Sequence, residues 1–212
     1  MNKGTVIVIS GPSGVGKGTV VEQILSDTEK FVLSISATTR SPRENEKHGV
    51  NYFYLTKEEF QSRIDNGMML EYAPYCDNLY GTPRAYVEEN ASKGKNVILE
   101  IEVKGALNVK ENMPEVVSIF IMPPNMQVLE ERLRGRGTEP EDVIQKRLKK
   151  AVEEMKQSLK YDYIVINNTV EQCVNDIKSI INSEKMKSPN MIDFVKGVLE
   201  NADEKTISRW YA

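Results

Sequence analysis

The stretch VIVISGPSGVGKGTV, residues 6–20, joins an apolar run to a loop in which four glycines fall within eight residues. Four β-branched residues in succession are typical of a buried strand, and the apolar spacing of Val20, Val21 and Ile24 indicates a helix after the loop. Glycine loses more backbone freedom on folding than any other residue, so such a cluster marks an unusual chain path. The stretch therefore predicts a strand, a specialised turn and a helix.

The turn matches the phosphate-binding pattern G-x-x-x-x-G-K-[ST], except that Gly18 stands where a hydroxyl residue is usual. In such a loop the backbone N–H groups and the start of the helix point at phosphate oxygens, and the lysine reaches the terminal phosphates. A glycine-rich turn that merely contains a lysine is the alternative, but the position between strand and helix favours nucleotide binding. The residues expected to bind nucleotide phosphates here are Gly11, Pro12, Ser13, Gly14, Val15, Gly16, Lys17, Gly18 and Thr19.

Magnesium is expected to accompany the nucleotide, although the replacement of the usual hydroxyl by Gly18 changes its ligands. Thr19 carries the nearest hydroxyl and is the candidate protein ligand. We expect the ion to be held mainly by nucleotide oxygens and water.

The composition is that of a globular protein, with 40% hydrophobic and 28% charged residues and a net charge of -3. The acidic balance argues against a nucleic-acid partner, and no apolar segment is long enough to span a membrane. The chain starts without a signal-peptide pattern, and Cys76 and Cys173 have no metal-binding or redox spacing, so we expect reduced thiols and a cytoplasmic location.

Five apolar runs alternate with helical sequence, which predicts an α/β fold with a mostly parallel central sheet covered on both faces. The runs are residues 5–10, 31–36, 96–102, 116–122 and 163–167. Further helices are predicted over residues 126–133 and 140–159. Residues 40–81 differ, because they are rich in Tyr and Phe and hold two short extended pieces around a helix at 56–66. We interpret that segment as an inserted α+β subdomain.

Two groups of arginines suggest sites for phosphate. Arg40 and Arg43 lie three residues apart around Pro42, a spacing that suits a phosphate monoester, and Tyr52 and Tyr80 could add hydroxyl donors. Solvated loop arginines are the alternative. A second group, with glycines between its members, is typical of a movable lid that brings positive charge to a transferring phosphoryl group. It consists of Arg132, Arg134 and Arg136, followed one helix later by Arg147.

Two carboxylates, Glu100 and Glu102, stand at the end of a predicted buried strand. In open α/β sheets ligands bind outside the carboxyl ends of the strands, so this pair is a candidate ligand contact. The alternative is an exposed pair at the edge of the sheet. From about residue 184 the apolar spacing of Ile192, Val195 and Leu199 predicts a C-terminal helix that buries this face against the body or a second subunit.

Taken together, the motifs resemble the guanylate kinase family. The matching stretches lie in the family's order and cover about residues 3–183. They are SGPSGVGKGT, SATTRSPRENE, GVNYFYL, LEYAPYCDNLYGTP, ILEIEVKGAL, RLRGRGTE and IVINN.

This resemblance implies a P-loop NTPase-type, three-layer enzyme that transfers the γ-phosphoryl group of ATP to GMP. The implied guanylate kinase-like domain spans 3–184, and 185–212 form a helical extension. Within the domain the core comprises 3–35, 83–125 and 160–184, the GMP-binding insertion about 36–82, and a mobile lid about 126–159.

The resemblance also implies roles for individual residues. The GMP phosphate would be held by Arg40, Arg43, Tyr52 and Tyr80, with Glu46 close by. The guanine edge would be read by Ser36, Glu71 and Thr82, while Glu100 and Glu102 would lie near the ribose, base and magnesium. Lys17, Arg132, Arg136 and Arg147 would be catalytic, and Asn167 would lie near adenine.

Three other functions are alternatives to this one. Guanylate-kinase-like modules of scaffold proteins bind phosphopeptides, but they typically lack the phosphate-loop lysine and lid arginines that this chain retains. Adenylate kinase is a second alternative, disfavoured by the paired arginines and LEYAPYCDNLYGT. A GTPase is a third, disfavoured because the sequence contains neither an N-K-x-D guanine motif nor a D-x-x-G switch. The sequence leaves the oligomeric state open.

Overall fold

Five parallel strands form the central sheet in a computed structural model, which describes residues 3–75, 77–135 and 140–200. The strands, in chain order, are β1 (Val6–Ser10), β2 (Phe31–Leu33), β3 (Ala37–Thr38), β4 (Phe53–Tyr54), β5 (Met69–Tyr75), β6 (Asn78–Pro83), β7 (Asn96–Glu100), β8 (Val117–Met122) and β9 (Tyr163–Ile166). The helices are α1 (Lys17–Leu25), α2 (Lys57–Asp65), α3 (Arg84–Ser92), α4 (Val103–Asn112), α5 (Met126–Arg134), α6 (Glu141–Lys156), α7 (Val170–Lys185) and α8 (Ile192–Glu200).

The strand order of the central sheet is β2-β7-β1-β8-β9, with every neighbouring pair parallel. Each predicted apolar run contains one of these strands, so the predicted α/β fold is confirmed. Strand β1 pairs with β7 on one side and with β8 on the other. The chain therefore adds β2 and β7 on one side of β1 before it crosses to the other side to add β8 and β9. In open α/β sheets such a switch point leaves a crevice at the carboxyl ends of the strands, and here the glycine loop occupies it.

Alternating residues of β1 face two separate cores, which gives the fold three layers. Ile7 and Ile9 point toward α1 and α7, where they pack with Ile24 and Ile177. Val6 and Val8 point to the opposite face, which α3 and α4 cover. Because both faces of the sheet are covered, the strands read as continuous apolar runs rather than alternating ones.

A second sheet of four strands, in the order β4-β3-β6-β5, lies between β2 and α3 in the sequence. Its helix α2 begins with a capping box in which Thr56 and Glu59 each bond to the other's backbone N–H. Phe60 is fully buried under this sheet with Ala37 and Met69. The expectation of two extended pieces around a helix was incomplete, because β3 and β4 each have only two residues, too few to display a strand period.

Helices α5 and α6 form a hairpin with a small core of their own, built from Leu129, Leu133, Ile144 and Ala151. Asn125 caps α5 by accepting a hydrogen bond from the Val128 N–H at 2.8 Å. The predicted catalytic residue Arg136 lies in the connection between the two helices and outside the described residues.

The C-terminal part of the described chain corrects one expectation. Ile192, Val195 and Leu199 form part of α8 but are 50%, 49% and 65% exposed, so this face does not bury against the body. Residues 201–212 of the expected extension lie outside the described residues. Across the described part of the chain, none of the helices combines the length and the apolar character that crossing a membrane would require.

Candidate active site

The glycine loop adopts a conformation that its residue types require. Gly14 and Gly16 have φ values of 88° and 91°, in the left-handed region that favours glycine. A Cβ at Gly11 would lie 2.6 Å from the Ile121 carbonyl oxygen, and one at Gly14 would lie 2.7 Å from the Leu133 side chain. The glycines therefore let the loop pack closely against β8 and α5.

Helix α1 starts at Lys17 without a side-chain cap on its N-terminus. Its N-cap residue is Gly16, and its first turn holds no acidic residue. Backbone N–H groups at the start of a helix have no partner within the helix, and the helix dipole favours an anion there. A cavity of about 360 Å³ opens at this point, lined by residues 11–19 together with Glu100, Glu102 and Glu154. The arrangement suits a polyphosphate.

Arg132 and Asn167 converge on the carbonyl oxygen of Val15 in this loop. The Asn167 Nδ2 group donates to it at 2.8 Å, and the Arg132 guanidinium donates at 3.1 Å. Arg132 also donates to the carbonyl oxygen of Asn167 at 3.0 Å. Arg147 reaches the loop from α6, 3.4 Å from the Ser13 hydroxyl. Two predicted catalytic arginines thus lie beside the loop, and Arg132 ties it to the end of β9.

The predicted acidic pair also lines the cavity. Glu100 is at the end of β7, and its Oε1 would be 3.9 Å from a Cβ on Gly18, so a larger residue than glycine would fit there. Glu102 is the N-cap residue of α4, and its carboxylate forms an ion pair with the Lys150 ammonium group at 3.0 Å. This contact raises the pKa of the Lys150 ammonium group. Within the described residues, no group of three His, Cys, Asp or Glu side chains is arranged to hold a metal alone.

Arg40 and Glu46 form the centre of a second site, in the loop between β3 and β4. The Arg40 guanidinium donates to the Glu46 carboxylate at 2.9 Å, and the same carboxylate accepts the Arg43 backbone N–H at 2.8 Å. The Arg43 backbone bond, with the Tyr54 and Arg40 side-chain bonds, lowers the pKa of Glu46 to about 2, against the opposing effect of desolvation. Glu46 is therefore ionised at neutral pH and holds Arg40 in place.

Aromatic rings surround this arginine. The guanidinium carbon of Arg40 lies 5.6 Å from the centre of the Tyr52 ring, and that ring meets Tyr80 edge-on at 5.9 Å. Arg43 is exposed, and its backbone N–H joins the same loop through Glu46. The four residues expected around the GMP phosphate thus lie on β6 and on the segment that joins β3 to β4.

Glu71 and Thr82 form a buried pair on the neighbouring strands β5 and β6. The Thr82 hydroxyl donates to Glu71 Oε1 at 2.8 Å, and the two residues are 1% and 8% exposed, respectively. Burial raises the pKa of the Glu71 carboxyl, and the Thr82 bond opposes that shift. The register that pairs Ala37 with Gly81 brings Ser36 alongside Thr82. The three residues expected to read guanine are therefore neighbours.

A family model described as guanylate kinase matches residues 3–184. The chain is 48% identical over 199 residues to the guanylate kinase of Oceanobacillus iheyensis. This alignment covers 94% of this chain and 97% of that protein. It is 47% identical over 219 aligned residues to that of Mesoplasma florum, covering all of this chain and 74% of that protein.

The chain belongs to the guanylate kinase family. The crystal structure of guanylate kinase from Anaplasma phagocytophilum matches the fold with a TM-score of 0.66 and 37% sequence identity, over 89% of each chain. The fold class and the family resemblance inferred from the sequence are thereby confirmed.

Three residues of this family member were missed by sequence reasoning. Gly105 in α4 lies against Glu71, since a Cβ there would be 3.0 Å from Glu71 Oε2. A glycine inside a helix is costly and could have signalled this close approach. Glu154 lines the phosphate cavity, and its spacing from Arg147 and Lys150 places all three on one face of α6. Tyr54 donates to Glu46 at 2.8 Å, and its alternation with Tyr52 could have indicated a shared face.

Proposed function

We propose that this protein transfers the γ-phosphoryl group of ATP to GMP, giving ADP and GDP, in cytoplasmic purine nucleotide metabolism and GMP recycling. The observation that carries the proposal is the buried Glu71–Thr82 pair, with 2.8 Å between its oxygens. A buried carboxylate without a cation of its own is costly, and guanine supplies two N–H donors on one edge. That requirement distinguishes a guanine site from an ordinary surface acid.

ATP would bind with its phosphates in the loop of residues 11–19. The backbone N–H groups at the start of α1 and the Lys17 ammonium would face the β- and γ-phosphates. Lys17 forms no ion pair within the described ranges of the chain, so its charge is available for this role. Asn167 borders the loop, and its Oδ1 has no hydrogen-bond donor among the described residues. This acceptor is suited to the amine of adenine.

GMP would bind across the second sheet. Its phosphate would meet Arg40, Arg43, Tyr52 and Tyr80, where two guanidinium groups match the geometry of a phosphate monoester. Its base would meet Ser36, Glu71 and Thr82 on the adjoining strands. Glu100 and Glu102 would face the nucleotide from the end of the central sheet.

The reaction would be an in-line transfer of the phosphoryl group to an oxygen of the GMP phosphate, without a covalent intermediate. The attacking oxygen already carries negative charge, so no strong general base is needed. Catalysis then depends on alignment of the two phosphates and on positive charge around the transferring group. Lys17, Arg132, Arg136 and Arg147 are the side chains proposed for that role.

Magnesium would neutralise charge on the ATP phosphates when it is bound. Glu100 Oε1 faces the open space beside Gly18, and the Thr19 hydroxyl is exposed nearby. Both are hard oxygen atoms of the kind this ion prefers. Because no acidic cluster in the described structure is arranged to hold a metal alone, nucleotide oxygens and water would be its main ligands.

Helices α5 and α6 would act as the lid. They carry Arg132 and Arg147, and two anionic nucleotides must be brought together with water excluded before transfer. In this structure Lys150 of α6 pairs with Glu102 across the cavity. We expect scattering measurements to show compaction when GMP and a non-hydrolysable ATP analogue are both bound.

The test is an ADP-release assay with ATP, Mg²⁺ and a panel of nucleoside monophosphates. We expect GMP to be the preferred acceptor. Lys17→Ala should lower turnover by about 10²- to 10³-fold or more while the fold remains intact, because it removes a charge placed at the transferring group. Lys93→Ala is the matched control, since Lys93 is 61% exposed and pairs with Glu89 on the surface of α3. A folded Lys17→Ala protein with near-normal turnover would contradict the mechanism.

A further inference from the structure

We propose that Tyr54 is a positioning residue for the GMP phosphate site, acting through Glu46 on the Arg40 guanidinium. The proposal rests on the proposed function, because it assigns Tyr54 to the same reaction. Neither the phosphate-binding motif nor the arginine spacing indicates a role for this tyrosine. The role is inferred from the contacts of Tyr54 with Glu46 and Arg40.

The Tyr54 hydroxyl completes the hydrogen bonding of the Glu46 carboxylate. It donates to Glu46 Oε2 at 2.8 Å, and the Arg43 backbone N–H donates to the same oxygen at 2.8 Å. The Arg40 guanidinium bonds the carboxylate at 2.9 Å. Three donors from three different residues therefore fix the orientation of one carboxylate, and that carboxylate in turn fixes Arg40.

The Tyr54 ring also supports Arg40 directly. The guanidinium carbon lies 5.9 Å from the Tyr54 ring centre and 5.6 Å from that of Tyr52, and the two rings are 6.0 Å apart. A cation within about 6 Å of an aromatic face is attracted by the ring. Tyr52 and Tyr54 are two residues apart on an extended segment, so both side chains lie on one face.

These contacts leave part of the arginine for a ligand. A guanidinium group has five N–H donors, and the contacts of Arg40 with Glu46, with the Ser41 carbonyl oxygen and with the Tyr80 side chain do not use all of them. The hydrogen bond to Glu46 and the contacts with the tyrosine rings orient Arg40. The remaining N–H donors are therefore held in a fixed direction before GMP binds. Such preorganisation increases affinity by lowering the cost of ordering a long side chain.

The chemical role of Tyr54 is that of a donor and not of an acid. Burial, followed by the Glu46 contact, raises the pKa of the Tyr54 hydroxyl, so it stays protonated at neutral pH. The backbone N–H of Tyr54 donates to His48 Nδ1 at 3.2 Å, which anchors its strand to the loop that carries Glu46. Tyr54 thus holds the site without contacting the reacting atoms.

The experiment is a comparison of Tyr54→Phe with wild type in steady-state kinetics and in calorimetric binding of GMP. The phenylalanine keeps the ring and removes only the hydroxyl. We expect KM and Kd for GMP to rise about 3- to 10-fold, the loss typical of one hydrogen bond, with KM for ATP and kcat changed by less than about 2-fold. Tyr72→Phe is the control, because Tyr72 is 47% exposed on β5, and its kinetics should match wild type.

A double-mutant cycle separates positioning from packing. In a Glu46→Ala background the Tyr54 hydroxyl has lost its acceptor, so adding Tyr54→Phe should change KM for GMP by less than about 1.5-fold. The proposal is overturned if Tyr54→Phe behaves like Tyr72→Phe. It is also overturned if the full effect persists without Glu46, or if both substrates and thermal stability are affected equally. A wild-type protein that does not phosphorylate GMP would instead refute the proposed function, and Tyr54 would then lose its role as well.

Discussion

The Thr82 hydroxyl donates a hydrogen bond to the Glu71 carboxylate across strands β5 and β6, at 2.8 Å. The carboxylate is nearly enclosed, and its second oxygen faces Gly105 of α4. Burial has raised the pKa of Glu71, which is the expected effect of removing an acid from water. A ligand that brings N–H donors to this carboxylate would compensate for part of that cost.

Base selectivity follows from this pair. Guanine presents an N1–H and an N2 amine on one edge, whereas adenine presents a lone pair at N1. An ionised carboxylate only accepts hydrogen bonds, so it matches guanine and opposes adenine. We expect a preference for GMP over AMP of roughly 10⁴-fold. Glu71→Ala should lower kcat/KM for GMP by about 10²-fold or more, the loss of two charged hydrogen bonds.

The measurement is kcat/KM for GMP and AMP in wild type and Glu71→Ala. Glu89→Ala serves as the control, because Glu89 is an exposed carboxylate on α3 that pairs with Lys93. If the ratio of GMP to AMP were the same in Glu71→Ala as in wild type, Glu71 would have no part in reading the base.

A second prediction concerns Gly105, which supports Glu71 from α4. Alanine inside a helix is more favourable than glycine by about 1 kcal/mol, but a Cβ here would lie 3.0 Å from Glu71 Oε2. Glu71 must then shift. We expect Gly105→Ala to raise KM for GMP by about 5- to 30-fold, which corresponds to about 1–2 kcal/mol of weaker base recognition, and to leave KM for ATP unchanged.

Gly197→Ala provides the matched control for that substitution. Gly197 also lies in a helix, α8, but its Cβ would meet no atom within 4 Å. It should gain helix propensity without altering kinetics. Equal KM values for GMP in the two alanine variants would exclude the proposed crowding of Glu71.

The sequence predicted the central sheet well because its five strands are buried on both faces and therefore appear as continuous apolar runs. It predicted two-residue strands such as β3 poorly, since their pairing is decided by the neighbouring strand β6. The helical spacing of Ile192 and Val195 predicted a helix correctly, but periodicity alone cannot specify what covers an apolar face. Contacts such as Gly105 with Glu71 join residues that are 34 positions apart and required the folded chain.

Glu46 makes stability depend on pH in a direction that the structure specifies. Its pKa in the folded protein, about 2, lies below the ordinary value of 4.5. The ionised carboxylate therefore stabilises the native state fully above pH 4.5, and this contribution is lost as the pH falls from 4.5 toward 2. We expect Glu46→Gln to be less stable than wild type at pH 7, with a difference that shrinks below pH 4.5.

Urea unfolding of wild type and Glu46→Gln at several pH values measures this difference. Because the group is near the surface, added salt should reduce it. Glu58→Gln is a useful comparison, since hydrogen bonds of the α2 N-terminus, its own backbone N–H first, lower the pKa of Glu58 without any contact to Arg40. A Glu46→Gln difference that stayed constant from pH 7 to pH 3 would contradict the assigned pKa.

Arg132 allows two contributions to be separated, because it contacts the phosphate loop and is also a proposed transition-state arginine. Both Arg132 and Asn167 donate to the Val15 carbonyl oxygen, so losing either should loosen the loop and raise KM for ATP by about 3- to 10-fold. Of the two side chains, only that of Arg132 carries a positive charge, which the proposed mechanism places near the transferring group. We therefore expect Arg132→Ala to lower kcat by about 10²-fold or more as well, while Asn167→Ala leaves kcat nearly unchanged.

Steady-state kinetics with ATP varied at saturating GMP would measure both effects. If Arg132→Ala altered only KM for ATP, as Asn167→Ala should, then Arg132 would hold the loop and take no part in stabilising the transition state.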